Sequence, residues 1–177
     1  MNTLYTSDSH YFHSNILGYC DRPFKDVLEM NRTIVERWNS VVSPEDTVYH
    51  LGDFAFGKYY HIHEILMQLN GKITLVIGNH DRSINAMKRA GFADVRKWML
   101  IEDDGVKLFL SHKPEIRDAF IQEQRELADF HLCGHVHTAW KRHGDTINVG
   151  VDQWDFTPRT IEELLDGTKN EMSLKNL

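Results

Sequence analysis

The chain has 177 residues and a formal net charge of −6, from 20 basic and 26 acidic side chains, and 41% of its residues are hydrophobic. This balance is typical of a globular protein and excludes a collagen-like, largely disordered or purely coiled-coil chain. The longest apolar runs are only a few residues long, as at residues 75–77, so we expect no membrane span and no membrane partner. With only two cysteines, we expect no disulfide framework and a cytoplasmic location.

The length predicts one domain over residues 1–177, and the chain has no internal repeat, low-complexity tract or Pro/Gly/Ser linker. Short β-rich runs predict strands, and apolar residues at helical spacing predict helices. In chain order we expect strand 4–6, helix 26–42, strand 47–50, helix 59–69, strand 73–77, helix 83–90, strand 107–110, helix 115–127, strands 130–132 and 146–149, and helix 160–165. This alternation predicts an α/β fold with mixed sheets.

Polar side chains follow five of the predicted strands at the point where each strand ends. In chain order they are Asp8 and His10, then Asp53, then Asn79 and His80, then His112, and finally His135 and His137. Because ligands bind beyond the carboxyl ends of strands in an α/β sheet, we expect these side chains to converge. Asp8 with His10, and His135 with His137, are pairs two positions apart. We expect each pair to lie on an extended segment that points both members toward one ion.

The chemistry of these side chains indicates a metal centre with open coordination positions. Imidazole, carboxylate and amide groups without thiolate disfavour a closed structural zinc site and suit Mn²⁺, Fe or Zn²⁺. Without His80, seven candidate ligands remain. Seven exceed the need of one tetrahedral ion, whereas two ions about 3.5–4 Å apart that share a carboxylate would use them all. We therefore expect two divalent cations, with Mn²⁺ preferred and Fe, Zn²⁺ or Ni²⁺ as alternatives.

In this order the motifs resemble those of the calcineurin-like metallophosphoesterase superfamily. They are Asp8-Ser9-His10, Gly52-Asp53, Gly78-Asn79-His80-Asp81, His112 and Gly134-His135-Val136-His137, and they span residues 8–137. The stretches 7–24 and 38–57 are also similar to those of small bacterial and phage-type members. The resemblance implies an α/β fold of two packed mixed β-sheets flanked by helices, as in a four-layer sandwich.

The resemblance also implies a role for each motif residue. One ion would be held by Asp8, His10 and His137, and the other by Asn79, His112 and His135. Asp53 would bridge the two ions. A metal-bridging hydroxide would attack phosphorus in line, with His80 as the general acid and Asp81 orienting its ring. The implied activity is hydrolysis of a phosphomonoester or phosphodiester, with a small phosphorylated molecule as substrate.

Three further residues are predicted to contact the substrate. His13 and Asn15 lie in the loop after the first ligand pair and would reach the ions if that loop folds over them. Arg22 carries a guanidinium group, whose fork of donors suits phosphate oxygens. After Asp53, the run Phe54-Ala55-Phe56 lacks the charged residue or Asn that many family members have there, which predicts an apolar wall beside the site.

Two other functions are compatible with the sequence. A nuclease or nucleic-acid end-processing phosphodiesterase would use the same chemistry, although the net charge of −6 disfavours a large duplex footprint. A non-catalytic metal-binding scaffold would be expected to have lost ligands or the general acid, and none of them is missing here. The sequence does not predict the oligomeric state.

Overall fold

The computed structural model describes residues 1–167, so residues 168–177 of the predicted domain lie outside the described part. The elements in chain order are β1 (Thr3–Thr6), α1 (Ile16–Tyr19), α2 (Val27–Val41), β2 (Thr47–His50), α3 (Tyr59–Leu66), β3 (Lys72–Val76), α4 (Ile84–Ala90), β4 (Asp94–Arg96), β5 (Trp98–Asp103), β6 (Val106–Ser111), α5 (Ala119–Arg125), β7 (Phe130–Cys133), β8 (Arg142–His143), β9 (Thr146–Asn148), a short 3-10 helix (Val151–Gln153) and α6 (Ile161–Asp166).

The first sheet has the strand order β1-β2-β3-β4, and each neighbouring pair is parallel. Parallel neighbours need a crossover connection, and α2, α3 and α4 lie in the three connections. As a result, the carboxyl ends of these four strands lie at one edge of the sheet.

The second sheet has the order β5-β6-β7-β9-β8. Its central pairs, β6 with β7 and β7 with β9, are parallel, whereas the pairs at its two edges are antiparallel. The prediction of an α/β fold with two sheets flanked by helices is confirmed. Only the second sheet is mixed, because every strand pair described in the first sheet is parallel.

The core has two layers, and strand alternation assigns residues to them. Leu4 of β1 is buried with α2 residues such as Met30 and Trp38, between the first sheet and its helices. The next residue, Tyr5, is buried with Leu110 and Leu132 of the second sheet. Successive strand residues point to opposite faces, so β1 contributes to both layers and the two sheets pack face to face.

The sequence pattern missed α1, β4, β5 and β8, and placed the start of α5 too early. β5 pairs with β6 through a tight hairpin at Asp104 and Gly105, both with positive φ, and an Asp-Gly dipeptide is a hairpin signal. Helix α5 begins at Ala119 because the Asp118 side chain accepts a hydrogen bond from the backbone of Ile121. No helix within residues 1–167 has the length and apolar character needed to cross a bilayer.

Candidate metal centre

The loops after β1, β2, β3, β6 and β7 meet at one place, as the strand-end pattern predicted. Among the described residues, three groups of potential ligands form there, and within each group the ligand atoms all lie within 4.8 Å of one another. The first group contains Asp8, His10 and His137, and the second contains Asp53, His112 and His135. The third, Cys20 with His137 and Asp152, shares His137 with the first. The first two groups divide the four histidines as the family resemblance implies, which would add Asn79 to the second set and have Asp53 shared.

In the first group, Asp8 and His10 are buried and His137 is partly exposed. Oδ1 of Asp8 lies 4.0 Å from Nε2 of His10 and 3.9 Å from Nε2 of His137. The other carboxylate oxygen of Asp8 accepts a hydrogen bond from the backbone N–H of His135 at 3.0 Å, which fixes the orientation of the carboxylate. Oδ1 of Asp8 is therefore left to face the two imidazoles.

The second group is completed by an amide oxygen. Nε2 of His112 lies 3.4 Å from Oδ2 of Asp53 and 3.0 Å from Oδ1 of Asn79. The other ring nitrogen, Nδ1, contacts the Leu51 carbonyl at 2.8 Å. A carbonyl only accepts hydrogen bonds, so Nδ1 carries the hydrogen and Nε2 of a neutral ring presents its lone pair to the centre.

Asp53 lies between the two groups. Its Oδ2 is 3.6 Å from Nε2 of His10 in the first group and 3.4 Å from Nε2 of His112 in the second. Oδ1 accepts a hydrogen bond from the backbone N–H of His80 at 2.8 Å. One carboxylate oxygen thus faces ligands of both groups, which is the geometry that a shared ligand requires.

The backbone at these ligands is not extended, and that expectation was wrong. Five of them have positive φ: Asp8 58°, His10 51°, Asp53 55°, His135 71° and His137 44°. Non-glycine residues rarely adopt this conformation, and it concentrates at functional sites where surrounding structure compensates its cost. The left-handed turns also separate the pair His135 and His137, which belong to different groups.

Two glycines allow loops to approach the carboxylates closely. A Cβ on Gly78 would stand 3.0 Å from the carboxylate carbon of Asp53 and still closer to its Oδ1. A Cβ on Gly134 would collide with the side chains of Ser7 and Asp8. Any side chain at these two positions would therefore displace a carboxylate of the centre.

Burial and charge act on the ligands in opposite directions. Burial raises the pKa of Asp53, but the hydrogen bond and charge of the neighbouring His112 imidazole lower it, and the result lies well below the usual range. Burial lowers the pKa of His10 to about 2, so this imidazole is neutral. Complete burial raises the pKa of Asp8. A carboxylate and a neutral imidazole are the forms in which these side chains bind a metal ion.

The residues present fit a bound cation. Oδ1 of Asp8 and Nε2 of His10 are buried and have no hydrogen-bond partner among the described residues. Two such atoms, 4.0 Å apart, are costly to bury unless something positive lies between them. A cation between them would satisfy both atoms. In the second group, Nε2 of His112 is instead within hydrogen-bond distance of Oδ1 of Asn79, at 3.0 Å, so no atom of that pair is left without a partner.

His80 lies over the centre and is open to solvent. Its side chain is 46% exposed, and its Nε2 is 4.0 Å from Oδ2 of Asp53. Its ring approaches those of His10 and Phe56, with centroids 5.6 Å and 5.1 Å away. The imidazole is therefore accessible to a ligand bound at the carboxylate.

Asp81 does not contact the His80 ring in the described part of the chain, contrary to its predicted role. Its carboxylate instead accepts hydrogen bonds from the backbone N–H groups of Asp53, Phe54 and Gly78, at 2.8 to 2.9 Å. Burial raises its pKa, whereas these bonds lower it. Asp81 therefore holds the loop that carries Asp53.

Arg22 is not placed to contact a substrate, so this prediction is corrected. Its guanidinium side chain is fully buried and donates to both oxygens of Asp152, at 2.8 and 3.0 Å. The remaining donors bond the backbone carbonyls of Ser9 and Asp8. Arg22 thus connects the loop that carries Asp8 and His10 to Asp152.

Asp152 was missed in the sequence. Its Oδ2 lies 2.9 Å from Nδ1 of His137. Burial lowers the pKa of that imidazole, whereas the bond to Asp152 raises it, and overall the pKa is raised to about 10. The signal was present, because Asp152 follows β9 just as the predicted ligands follow their strands. The prediction considered five strand ends and omitted this sixth one.

The two remaining predicted substrate contacts differ in position. His13 stacks on Phe56, with ring centroids 3.8 Å apart, and its Nδ1 lies 3.1 Å from Nδ1 of His10. Burial lowers its pKa. Phe56 forms the apolar wall that was expected after Asp53. Asn15 is exposed at the start of α1, and no described contact joins its side chain to the ligands.

The fold and the two ligand groups define an α/β protein with a candidate metal centre at its strand ends. The model of the calcineurin-like phosphoesterase superfamily domain matches residues 1–158, and the chain belongs to this superfamily. It is 41% identical over 163 residues to the protein MJ1445 of Methanocaldococcus jannaschii, covering 88% of this chain and 85% of that protein. It is 28% identical over 182 residues to the gene 66 protein of Mycobacterium phage L5, covering 86% and 87% of the two chains.

Solved structures show the same fold. The protein AQ665 of Aquifex aeolicus aligns over 93% of this chain and 97% of its own, with a TM-score of 0.73 and 30% identity. A novel archaeal phosphodiesterase aligns over 87% of each chain, with a TM-score of 0.55 and 23% identity. The zinc complex of Vps29 from Entamoeba histolytica aligns over 85% of this chain and 74% of its own, with a TM-score of 0.50 and 21% identity.

Proposed function

We propose that the protein is a dinuclear metal-dependent phosphoesterase that hydrolyses small phosphomonoesters or phosphodiesters. The observation that carries this proposal is Oδ2 of Asp53, which faces His10 at 3.6 Å and His112 at 3.4 Å and so stands between two ligand groups. Membership of the calcineurin-like phosphoesterase superfamily supports it. The phosphodiesterase named among the structural neighbours supports the reaction class.

Each side chain has a defined part in this proposal. Asp8, His10 and His137 would hold one divalent cation, and Asn79, His112 and His135 the other, with Asp53 shared. When bound, the two cations supply charge neutralisation for the phosphoryl oxygens and lower the pKa of water. The preferred metal is Mn²⁺, because oxygen and imidazole ligands without thiolate suit it.

His80 is proposed as the general acid. Two observations support this role: Nε2 of His80 lies 4.0 Å from Oδ2 of Asp53, and 46% of the His80 side chain is exposed to solvent. Imidazole is the side chain best suited to donate a proton near neutral pH. Because Asp81 bonds backbone amides instead of His80, its part is to hold the Asp53 loop.

The test is hydrolysis of p-nitrophenyl phosphate and its bis-ester by Mn²⁺-loaded protein, with metal content measured on the same samples. His80→Ala should lower kcat by about 10²- to 10⁴-fold while metal content stays constant. Asp53→Ala should lose both metal and activity. The matched control is His143→Ala, which removes an exposed histidine outside the two ligand groups and should match the wild type.

Full activity in Asp53→Ala would contradict the proposal. Negligible metal in wild-type protein after Mn²⁺ or Zn²⁺ loading would favour the scaffold alternative. Single- and double-stranded DNA, assayed across a salt series with the same samples, tests the nuclease alternative, which the excess of 26 acidic over 20 basic side chains disfavours.

A further inference from the structure

A groove beside the second ligand group is not used by the proposed chemistry. It has a volume of about 350 Å³ and includes Asn79 and His112 in its lining. This volume lies within the range of small-molecule sites. A molecule in the groove would therefore touch two of the residues proposed to hold metal.

Four residues of the groove lining are apolar, and we call them the floor of the groove. They are Ile77, Trp98, Ile116 and Ile121. The Trp98 ring stacks on the buried ring of Phe109, with centroids 5.7 Å apart and planes at 21°. An indole held in this way gives a fixed flat surface, which suits a planar ring better than a flexible chain.

Three other residues of the lining are cationic, and we call them the wall of the groove. They are Lys97, Lys113 and Arg117, and none of the three takes part in an ion pair within residues 1–167. Two carboxylates also line the groove, and that of Asp118 accepts the helix-capping bond from Ile121. Cations thus outnumber carboxylates here, although the whole chain carries a net charge of −6.

The structure assigns this groove to the organic part of the phosphoester substrate, and we propose that this part is an aromatic ring with a second anionic group, as in a nucleotide. The apolar floor would take the ring, and Lys113 and Arg117 would bind the second anion. The inference rests on the proposed function, because the phosphoester itself would lie at the metal centre.

A matched pair of esters tests the second anion. Thymidine 5′-(p-nitrophenyl phosphate) and its 3′-phosphate derivative share the ring and the leaving group. In wild-type protein the derivative should have a kcat/KM about tenfold higher, as expected for one or two charge-assisted contacts. In the double variant Lys113→Gln, Arg117→Gln this ratio should fall to about one.

The control variant is Lys72→Gln, which removes an exposed lysine at the opposite end of β3 from Asn79. It should keep the wild-type ratio. Equal kcat/KM values for the two esters in wild-type protein, or a ratio that the double variant leaves unchanged, would overturn the groove assignment while the proposed function stands.

A binding experiment separates the two levels of inference. The affinity for thymidine 3′,5′-bisphosphate is measured by calorimetry on Mn²⁺-loaded His80→Ala protein, which should keep its metal without hydrolysing the probe. Adding the double variant to His80→Ala should raise the Kd about tenfold. No binding by His80→Ala, or an equal Kd with and without the double variant, would overturn the groove assignment. Tight binding by His80→Ala, with no hydrolysis of any ester by the wild type, would instead overturn the proposed function.

Discussion

Oδ2 of Asp152 lies 2.9 Å from Nδ1 of His137, which joins the loop after β9 to the loop after β7. A carboxylate only accepts, so Nδ1 of His137 carries the hydrogen and Nε2 faces Asp8. Oδ1 of the same carboxylate bonds the buried guanidinium of Arg22, which also holds the carbonyl of Asp8. Asp152 therefore positions one ligand directly and another through Arg22.

We expect Asp152→Asn to weaken metal binding by about 10- to 100-fold, because outer partners of a ligating histidine set its orientation and basicity. The measurement is Mn²⁺ affinity by calorimetry, with thermal unfolding recorded to show that the variant is folded. Asp155→Asn is the control, since it alters an exposed carboxylate of the same loop that bonds Arg37. An unchanged Mn²⁺ affinity in Asp152→Asn would contradict the assigned role.

Gly78→Ala should disrupt the centre, because the added Cβ would overlap the Asp53 carboxylate. We expect loss of Mn²⁺ binding and a destabilisation of about 1–3 kcal/mol from overpacking. Gly18→Ala is the comparison, because a Cβ there meets nothing within 4 Å. Alanine has a higher helix propensity than glycine by roughly 1 kcal/mol, so this change should stabilise α1. Metal affinity and urea midpoints measure both effects, and similar behaviour of the two variants would refute the steric reason.

Substitutions at the neighbouring residues His80 and Asp81 should have different effects: at Asp81 on stability, and at His80 on activity. Asp81→Ala leaves three backbone donors without their acceptor, so we expect unfolding free energy to fall by at least about 2 kcal/mol. His80→Ala changes a half-exposed side chain and should shift stability by less than about 0.5 kcal/mol while activity is lost. Urea unfolding with EDTA present measures the difference. A larger loss of stability in His80→Ala would reverse this division of roles.

The stability of the metal-free protein should depend on pH through His131. Burial lowers the pKa of this imidazole to about 4, whereas an unfolded histidine has a pKa of about 6.5. The folded pKa is the lower one, so the stabilisation is complete above pH 6.5 and is lost as pH falls toward 4. Ser111 contacts its Nε2 at 2.7 Å, which is consistent with a neutral buried ring.

Between pH 7.5 and 5.0, His131→Gln should lose about 2 kcal/mol less stability than the wild type, because protonation of this one group in the unfolded chain no longer contributes. Urea unfolding in EDTA at both pH values gives the comparison. Equal losses in the two proteins would show that His131 does not carry this pH dependence.

Local patterns were sufficient to predict most strands and the polar residues that follow them. The β-rich runs and the helical spacing are properties of a few consecutive residues, and β2 has the predicted bounds 47–50. Short elements such as β8, with two residues, have no such pattern, because they exist only through pairing with β9. The extent of α5 was set by a cap at Asp118 instead of by hydrophobic spacing.

For the centre, residue types were predictable and backbone geometry was not. The expected extended pairs are left-handed turns instead, and Arg22 bonds Asp152 across 130 positions of sequence. A guanidinium suits phosphate and carboxylate equally, so its partner depends on which one the fold brings near. The partner of Asp81 was not predictable for the same reason, because its carboxylate accepts a hydrogen bond from the backbone N–H of Phe54, 27 residues away.

The amino-acid sequence by itself determined which ligands the chain offers, on which strand ends they stand and the superfamily to which it belongs. The family resemblance had already implied two ligand sets with Asp53 between them, whereas only the tertiary structure decided the left-handed backbone of the ligands and which charged residues hold the loops in place. The reason is that these choices depend on contacts between loops from different strands, and their distances are set when the two sheets pack.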